Sequence, residues 1–140
     1  MILLHRGEKK AIVNKFNQHE QVTTMLWPSS YPNNVIIGLS DGKVRVGNSK
    51  TNKSSTLYPT GSYVVSLACS PDGTGFVSGH ADGKIYQFLF DDGNGEQRTG
   101  VLAKHSCPPY ALCWAQDVLA AGSDKRLVVY DERGAVTVRT

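Results

Sequence analysis

Three aspartates that recur at a fixed interval are the residues of this chain most able to do acid–base chemistry. Asp41, Asp82 and Asp124 follow one another at intervals of 41 and 42 residues. Paired carboxylates catalyse general acid–base reactions when both converge on one bond, and no two of these three are close in sequence. Repetition of one residue type in every unit favours a structural role, in which each carboxylate accepts hydrogen bonds within its own turn. The spacing therefore predicts three turns of one design rather than one active site.

Each aspartate lies in a short motif that defines a repeat. GLSDGKV at 38–44 is echoed by GHADGKI at 79–85 and more faintly by GSDKRL at 122–127. Asp-Gly tolerates the positive φ that a two-residue hairpin requires, so Asp41-Gly42 and Asp82-Gly83 predict hairpin turns and Asp124 marks a third. A period of about 40–45 residues with strand–turn–strand content is typical of β-propeller blades. The predicted fold class is all-β, with about three and a half four-stranded blades in an incomplete ring.

Apolar and β-branched runs place four strands in each repeat unit. We expect 1–140 to be part of one propeller, with 1–18 ending a preceding blade and further blades over 19–60, 61–104 and 105–140. Trp27 and Trp114 end equivalent first strands, which indicates core packing. The predicted strands are 2–5 and 11–16, then 22–27, 35–39, 43–47 and 54–58, then 64–69, 75–79, 84–90 and 101–103, and finally 110–114, 118–122, 127–130 and 135–138.

The number of units is too small for a closed ring. Propellers close with about 4–8 blades, and repeat arrays need terminal units with a polar outer face. Neither end of this sequence has such a cap. Two interpretations stay open: the chain is an internal piece of a larger propeller, which is the more economical one, or another chain completes its ring.

Histidines and cysteines do not form a recognisable metal or cofactor motif. His80 lies in a hairpin and is expected to be exposed, and the clustered ligands that a zinc site needs are missing from the sequence. The three cysteines include no C-x-x-C pair, which fits reduced thiols. GHADGK at 79–84 is one residue short of a phosphate-binding loop. We therefore predict no catalytic residue, no metal and no cofactor.

Composition narrows the classes of partner. A net charge of +3 is too mild to indicate nucleic acid, and no apolar run approaches the ~18 residues that a membrane span needs. Lys43, Arg45, Lys50 and Lys53 form a modest basic strip on one blade. A solvated face is the default interpretation of this strip, and binding to an acidic partner or weakly to an anionic membrane surface is the alternative.

The order of strands and the turn aspartates resemble WD-repeat propellers, although no Trp-Asp pair is present. Tyr130-Asp131 is the nearest equivalent, and Gly47-Asn48 and Phe90-Asp91 stand in for it elsewhere. The resemblance implies that a histidine before the first strand of a blade bonds to the turn aspartate. His105 with Asp124 matches this pattern better than His19 does, although no glycine precedes either histidine.

A closer resemblance covers most of the chain. The strings GKVR at 42–45, TNKSST at 51–56, SYVVSL at 62–67, SGHADG at 78–83 and CPPYAL at 107–112 are similar to the amino-terminal propeller of the intraflagellar transport 172 family. That resemblance implies a non-enzymatic scaffold subunit of intraflagellar transport complex B, acting in cilium assembly and ciliary cargo transport. It implies the cilium or flagellum and basal body as location, with a cytoplasmic pool. Implied partners are other complex B subunits, the remaining blades of the same propeller and, indirectly, kinesin and dynein motors.

Two other functions remain as alternatives. One is a generic WD-repeat propeller that recognises peptides in a cytosolic complex. The other is a propeller hydrolase with its site in the central channel. The three predicted inner strands at 22–27, 64–69 and 110–114 carry no Asp, Glu or His. Since a site must be argued from residues rather than from fold, this composition argues against an enzyme.

Overall fold

Antiparallel β-sheets make up all the regular structure in the described part of the chain. The computed structural model describes residues 2–5 and 13–139. They form one two-stranded sheet and three four-stranded sheets whose strands pair in sequence order, which confirms the predicted fold class. The strands are β1 Ile2–His5 and β2 Val13–Phe16; β3 Val22–Leu26, β4 Asn34–Leu39, β5 Val44–Asn48 and β6 Lys53–Tyr58 in the first blade; β7 Val64–Cys69, β8 Gly75–His80, β9 Lys84–Leu89 and β10 Arg98–Lys104 in the second; and β11 Ala111–Trp114, β12 Val118–Ala121, β13 Leu127–Tyr130 and β14 Val136–Arg139 in the third.

The largest difference from the predicted strands is at β10. It spans Arg98–Lys104, whereas the sequence predicted 101–103. Its pairing with β9 shifts between Val101 and Ala103, which is the signature of a β-bulge. The exposed polar start of β10 carries little apolar signal, so its pairing with β9 is what extends the strand. The predicted positions 11 and 12 lie outside the described residues.

The second strand of the first blade is buried on both faces. In β4, Val35 and Ile37 pack on Phe16 of the preceding sheet, whereas Ile36 packs in a cluster with Phe76 of the second blade. Side chains alternate along a strand, so one sheet fills the gaps to both neighbours. The hydrophobic core therefore lies between blades rather than within any one of them.

The same alternation continues in the second blade. Phe76 belongs to the cluster shared with the first blade, and Val77 belongs to the cluster shared with Val118 and Tyr130 of the third. Every residue of β8 is buried. Because each gap is filled from two sheets, the blades are held at fixed positions relative to one another.

An aromatic residue recurs at one position in the third strands of the second and third blades. The sequence pattern indicated Phe90 at this position in the second blade, and the strand pairing assigns a different residue. Val35, Phe76 and Val118 pair with Gly47, Phe88 and Tyr130 respectively. Phe88, and not Phe90, is therefore the equivalent of Tyr130. In the first blade, a Cβ at Gly47 would lie 3.0 Å from the Phe16 ring. In the first blade, the Phe16 ring of the preceding sheet thus packs where Gly47 has no side chain.

Trp27 is not the core residue that its position suggested. Its side chain is 42% exposed, and its indole N–H donates to the Pro32 carbonyl at 2.9 Å. Trp114 is half-buried and packs against the cluster between the second and third blades. Equivalent positions in the repeat therefore have different environments, because Trp27 bonds to its own loop.

The third hairpin turn contains a lysine in the left-handed region. Lys125 has φ 62°, whereas the equivalent turns use Gly42 and Gly83 at 93° and 91°. A residue with a Cβ in the left-handed region destabilises the folded state by roughly 1–2 kcal/mol. Glycine avoids this steric penalty, but it loses more conformational entropy on folding, which costs about 0.5–1 kcal/mol. We expect Lys125→Gly to raise the free energy of unfolding by about 0.5–1 kcal/mol in urea titrations. Lys104→Gly, within β10, should lower it, and a loss of stability in Lys125→Gly would contradict this explanation.

Candidate protein-interaction face

Hairpin turns and inter-blade loops gather at one end of the sheets, which we call the turn face. It comprises the turns at 40–43, 81–83 and 123–126 and the loops at 59–63 and 105–110. The Ser40 amide donates to the Gln21 carbonyl, and the Ala81 amide donates to the Tyr63 carbonyl, each at 2.9 Å. The first two turns are thus tied by main-chain bonds to the loops that enter their blades, and the third is tied by the side-chain bond from Ser106 to Asp124.

The three predicted turn aspartates have equivalent bonding. Each carboxylate accepts the amide two residues later, at 3.0–3.1 Å: Lys43 N–H to Asp41, Lys84 N–H to Asp82 and Arg126 N–H to Asp124. This is the Asx-turn geometry that pins a tight hairpin. The three carboxylates lie in three separate blades, which leaves no pair to share a proton or a substrate.

Gly42 and Gly83 allow close packing against the neighbouring loop. A Cβ at Gly42 would lie 2.5 Å from the Thr60 carbonyl oxygen, and one at Gly83 would overlap the His105 carbonyl oxygen. The Thr60 and His105 amides donate to the carbonyls of these two glycines at 3.2 and 2.7 Å. Both glycines are therefore required by backbone conformation and by space.

A buried polar network lies behind the turn face, and its centre is His80. The sequence predicted an exposed side chain, but His80 is fully buried at the end of β8. Its Nδ1 lies 2.8 Å from the Ser62 carbonyl oxygen, and its Nε2 lies 2.8 Å from Ser78 Oγ. Ser78 Oγ lies in turn 2.8 Å from Tyr58 Oη. The network joins the first blade, the loop after it and the second blade.

The proton positions in this network follow from its acceptors. The Ser62 carbonyl can only accept, so His80 Nδ1 carries the proton, and Nε2 accepts from the Ser78 hydroxyl. Ser78 can then accept from Tyr58. Burial lowers the pKa of His80 and raises that of Tyr58, so both side chains are neutral. Serine beside imidazole is also the arrangement of hydrolase nucleophiles, but here both groups are fully buried and no substrate reaches them.

Neutral, buried His80 makes stability depend on pH. Below its ordinary pKa of about 6.5 the unfolded chain binds a proton that the folded chain does not. Its contribution to the free energy of unfolding is therefore present above pH 6.5 and falls as the pH falls, by at most about 1.4 kcal/mol per unit. In urea titrations between pH 5 and pH 8, His80→Gln should flatten this slope, whereas exposed His19→Gln should not. Equal slopes in both variants would contradict the assignment.

His105 does not make the aspartate bond that the resemblance implied. Its Nδ1 lies 2.8 Å from Tyr130 Oη, and Asp124 instead accepts the Ser106 hydroxyl at 2.6 Å. That hydrogen bond holds the pKa of Asp124 below its usual range. The tyrosine reaches the imidazole from β13, so the neighbouring serine takes over the turn carboxylate. His105 is buried and Asp124 is exposed.

The four residues of the predicted basic strip lie on the first blade without converging. Lys43 Nζ is 3.6 Å from Asp41 in its own turn. Arg45 donates to Thr56 Oγ1 at 2.6 Å and to Ser54 Oγ at 3.3 Å, so its guanidinium lies along the outer strand. Lys50 and Lys53 are exposed at the other end of β5 and β6. The strip therefore runs the length of the blade edge, with two exposed lysines at the end opposite the turn face.

Two aromatic side chains stand exposed on the turn face, and sequence reasoning missed them. Tyr63 is 41% exposed and Tyr110 is 65% exposed, and each immediately precedes the first strand of its blade. Large apolar side chains held on rigid loops are typical of protein contacts. Their recurrence before two first strands was the available signal.

No helix in the described ranges 2–5 and 13–139 is long and apolar enough to cross a membrane.

Known sequences that resemble this chain include two relatives at about half identity. The chain is 50% identical over 131 residues to the "Intraflagellar transport protein 172 homolog" of Mus musculus, covering 93% of this chain and 7% of the relative. It is 49% identical over 131 residues to "Intraflagellar transport protein 172" of Chlamydomonas reinhardtii, covering 91% of this chain and 8% of the relative. The chain thus spans less than a tenth of the length of the relatives it matches.

Family and structure comparisons agree on the fold. The sequence pattern of the family "WD domain, G-beta repeat" matches residues 52–88. A chain in the "Crystal Structure of Mitotic Checkpoint Complex" superposes with a TM-score of 0.73, at 18% identity, over 94% of this chain and 41% of that chain. At that level of identity the likeness concerns the fold alone.

Proposed function

We propose that this chain, which belongs to the intraflagellar transport protein 172 family, is a non-enzymatic scaffold segment that binds partner proteins within intraflagellar transport complex B. In this role it acts in cilium assembly and in ciliary cargo transport, at the cilium or flagellum and basal body, with a cytoplasmic pool. The observation that carries the proposal is identity of 49–50% over more than nine-tenths of the chain. The same fold is formed at 18% identity, so blade packing alone does not require identity of 49–50%.

The packing of the blades supports a scaffold mechanism. Buried clusters shared between neighbouring sheets fix the blades, and main-chain bonds fix the turns. Binding therefore orders few additional groups, which lowers its entropic cost. Several loops held at fixed spacing can contact one assembly at several points, and such contacts reinforce one another. The partners under this proposal are other complex B subunits and the remaining blades, with kinesin and dynein motors reached indirectly.

The described residues also favour binding over catalysis. Ser78 and His80 are sealed in the core, and the turn carboxylates are separated and committed to their own hairpins. A groove of about 390 Å³ between the second and third blades is lined by Asp72, Asp117, Asp131 and Glu132, but no histidine or cysteine is among its lining residues. Partner contact by loops requires none of these groups to react.

Basic residues of the first blade provide a specific contact to test. We expect an acidic partner to be steered by Lys50 and Lys53, so the double variant Lys50→Glu/Lys53→Glu should slow its association about tenfold at low salt. Arg98→Glu/Lys104→Glu, with equal charge change on exposed positions of the second blade, is the matched control. Association rates of the two variants are compared by surface plasmon resonance at several salt concentrations. A slower rate in the Lys50→Glu/Lys53→Glu variant alone would support the strip as the contact. Equal effects of the two variants would remove the strip from the interface, and binding to anionic vesicles alone would assign it to a membrane.

A segment exchange tests the proposed function itself. The matching segment of the Chlamydomonas reinhardtii relative is replaced by this chain, and the hybrid is expressed in cells that lack the relative. We expect flagella to assemble. The control hybrid carries the corresponding blades of the mitotic checkpoint propeller, which share the fold at 18% identity, and should fail. Failure of the first hybrid while it is stably expressed would overturn the proposal, and rescue by both hybrids would favour a generic propeller role.

A further inference from the structure

Three potential metal ligands of the third blade come together on the turn face. A ring nitrogen of His105, the Sγ of Cys107 and a carboxylate oxygen of Asp124 all lie within 4.8 Å of one another. The spacing H-x-C followed by an aspartate 17 residues later is not a recognised ligand motif, so the sequence predicted no metal here. The fold creates the cluster by laying the loop at 105–110 against the hairpin at 123–126.

The histidine of this cluster has a buried ring nitrogen without a hydrogen-bond partner among the described residues, which is unusual for a buried imidazole. His105 is 2% exposed, and its Nε2 is buried without a hydrogen-bond partner in the described part of the chain. A buried polar atom without a partner costs about 1–3 kcal/mol unless something else satisfies it. The comparable His80 has both of its ring nitrogens bonded. The difference between these two buried histidines points to a ligand at His105.

We propose that His105, Cys107 and Asp124 bind a zinc ion, with His105 Nε2, Cys107 Sγ and an Asp124 oxygen as its three protein ligands. Imidazole, thiolate and carboxylate are the three ligand types that zinc takes, and three protein ligands leave the fourth tetrahedral position to water. Calcium and magnesium are disfavoured, because both require an all-oxygen set. A neutral imidazole with one thiolate and one carboxylate balances the charge of a divalent ion.

The surroundings hold each ligand for this role. His105 Nδ1 lies 2.8 Å from Tyr130 Oη, which fixes the ring and leaves Nε2 as the coordinating atom, as outer hydrogen bonds do in known zinc sites. Asp124 is positioned by the Ser106 hydroxyl and by the Arg126 amide. Cys107 packs over Gly122, where a Cβ would lie 2.6 Å from its Sγ. The thiol is half-buried and the carboxylate is exposed, so an ion can enter from solvent.

Zinc here joins the loop that enters the third blade to that blade's hairpin turn. In the second blade the corresponding connection is made by hydrogen bonds, with the Ser62 hydroxyl accepting the Asp82 amide at 2.9 Å. The two prolines after Cys107 restrict the loop, which lowers the entropic cost of bringing the ligands together. Coordination requires the thiolate, so binding replaces the S–H bond with an S–Zn bond and releases one proton to solvent.

The test is a metal titration of the reduced full chain. We expect one Zn²⁺ per chain, release of one proton, and thiolate-to-cobalt charge-transfer absorption when Co²⁺ is used as the probe. Cys107→Ser should remove that band and weaken Zn²⁺ binding at least about 100-fold, because loss of a direct ligand exceeds the 10–100-fold typical of outer-shell changes. Asp124→Asn should weaken binding while retaining the hydrogen bonds from Ser106 and Arg126.

Matched variants separate this site from non-specific thiol binding. Cys113→Ser removes an exposed cysteine, and Asp82→Asn changes the equivalent turn of the second blade, so both should bind Zn²⁺ like the unmodified chain. Circular dichroism of every variant checks that it is folded. Absence of a cobalt–thiolate band in the folded, reduced chain would overturn the proposal, as would equal loss of binding in Cys113→Ser and Cys107→Ser.

Discussion

Gly83→Ala is expected to lower the free energy of unfolding by about 2–5 kcal/mol, because the added Cβ has two separate costs. Gly83 has φ 91°, where an L-residue costs roughly 1–2 kcal/mol. The added Cβ would also overlap the His105 carbonyl oxygen, and forcing an extra carbon into a packed site costs typically 1–3 kcal/mol. To relieve this overlap, the loop at 105–110 would have to move away from the turn. That movement would weaken the hydrogen bond from the His105 amide to the Gly83 carbonyl, which is 2.7 Å long. Urea unfolding followed by circular dichroism measures the loss.

Two other glycines separate the contributions at Gly83. Gly93 has φ 97° but a Cβ there would meet nothing within 4 Å, so Gly93→Ala should cost only the backbone term of roughly 1–2 kcal/mol. Gly100 has an ordinary φ and open space, and Gly100→Ala should change stability by less than about 0.5 kcal/mol. If Gly83→Ala and Gly93→Ala were equally stable, the close approach of the loop to the hairpin would be wrong.

Phe88→Ala is expected to cost about 3–5 kcal/mol of unfolding free energy, the range for removing a buried aromatic ring. Phe88 is 1% exposed and its ring centre lies 5.1 Å from that of Phe76 and 5.9 Å from that of Tyr58. Tyr58 belongs to the first blade and the other two rings to the second. The variant would therefore leave a cavity between two blades, and the same urea titrations would detect it.

Tyr110→Ala is the control for Phe88→Ala. Tyr110 is 65% exposed on the turn face, so its loss should change stability by less than about 0.5 kcal/mol. It should nevertheless weaken partner binding if the turn face is the interface. A comparable loss of stability in the two variants would contradict the assignment of Phe88 to the core and Tyr110 to the surface.

Strand positions were readable from the sequence because local chemistry and repetition agree. The run VVSLAC at 64–69 coincides with β7, and the Asp-Gly turns ended the second strands where expected. In β10 the polar residues at 98–100 have no apolar pattern, and their strand conformation depends on pairing with β9. The sequence of 98–100 alone therefore does not predict a strand, because the strand conformation depends on hydrogen bonds to β9.

Side-chain environments were harder to predict than strands. His80 was expected on the surface because it adjoins a hairpin, yet Thr60 and Ser62, from a loop 18–20 residues earlier, cover it. Trp27 was expected in the core, yet its indole bonds to its own loop. The cluster of His105, Cys107 and Asp124 likewise depends on how a loop meets a turn. For His80 and for the cluster, the deciding contact comes from a segment distant in the sequence. For Trp27 it comes from a carbonyl five residues later, and an apolar pattern describes neither kind of contact.

Incorporation into the transport complex is the most direct measurement of the central claim that this segment is a rigid binding scaffold. The Chlamydomonas reinhardtii relative carrying this chain in place of its own segment is expressed in cells lacking that relative, and extracts are sedimented on a density gradient. We predict that the hybrid sediments with the other complex B subunits and that the hybrid carrying Gly83→Ala does so less. A stably folded hybrid that sediments alone, apart from those subunits, would contradict the account.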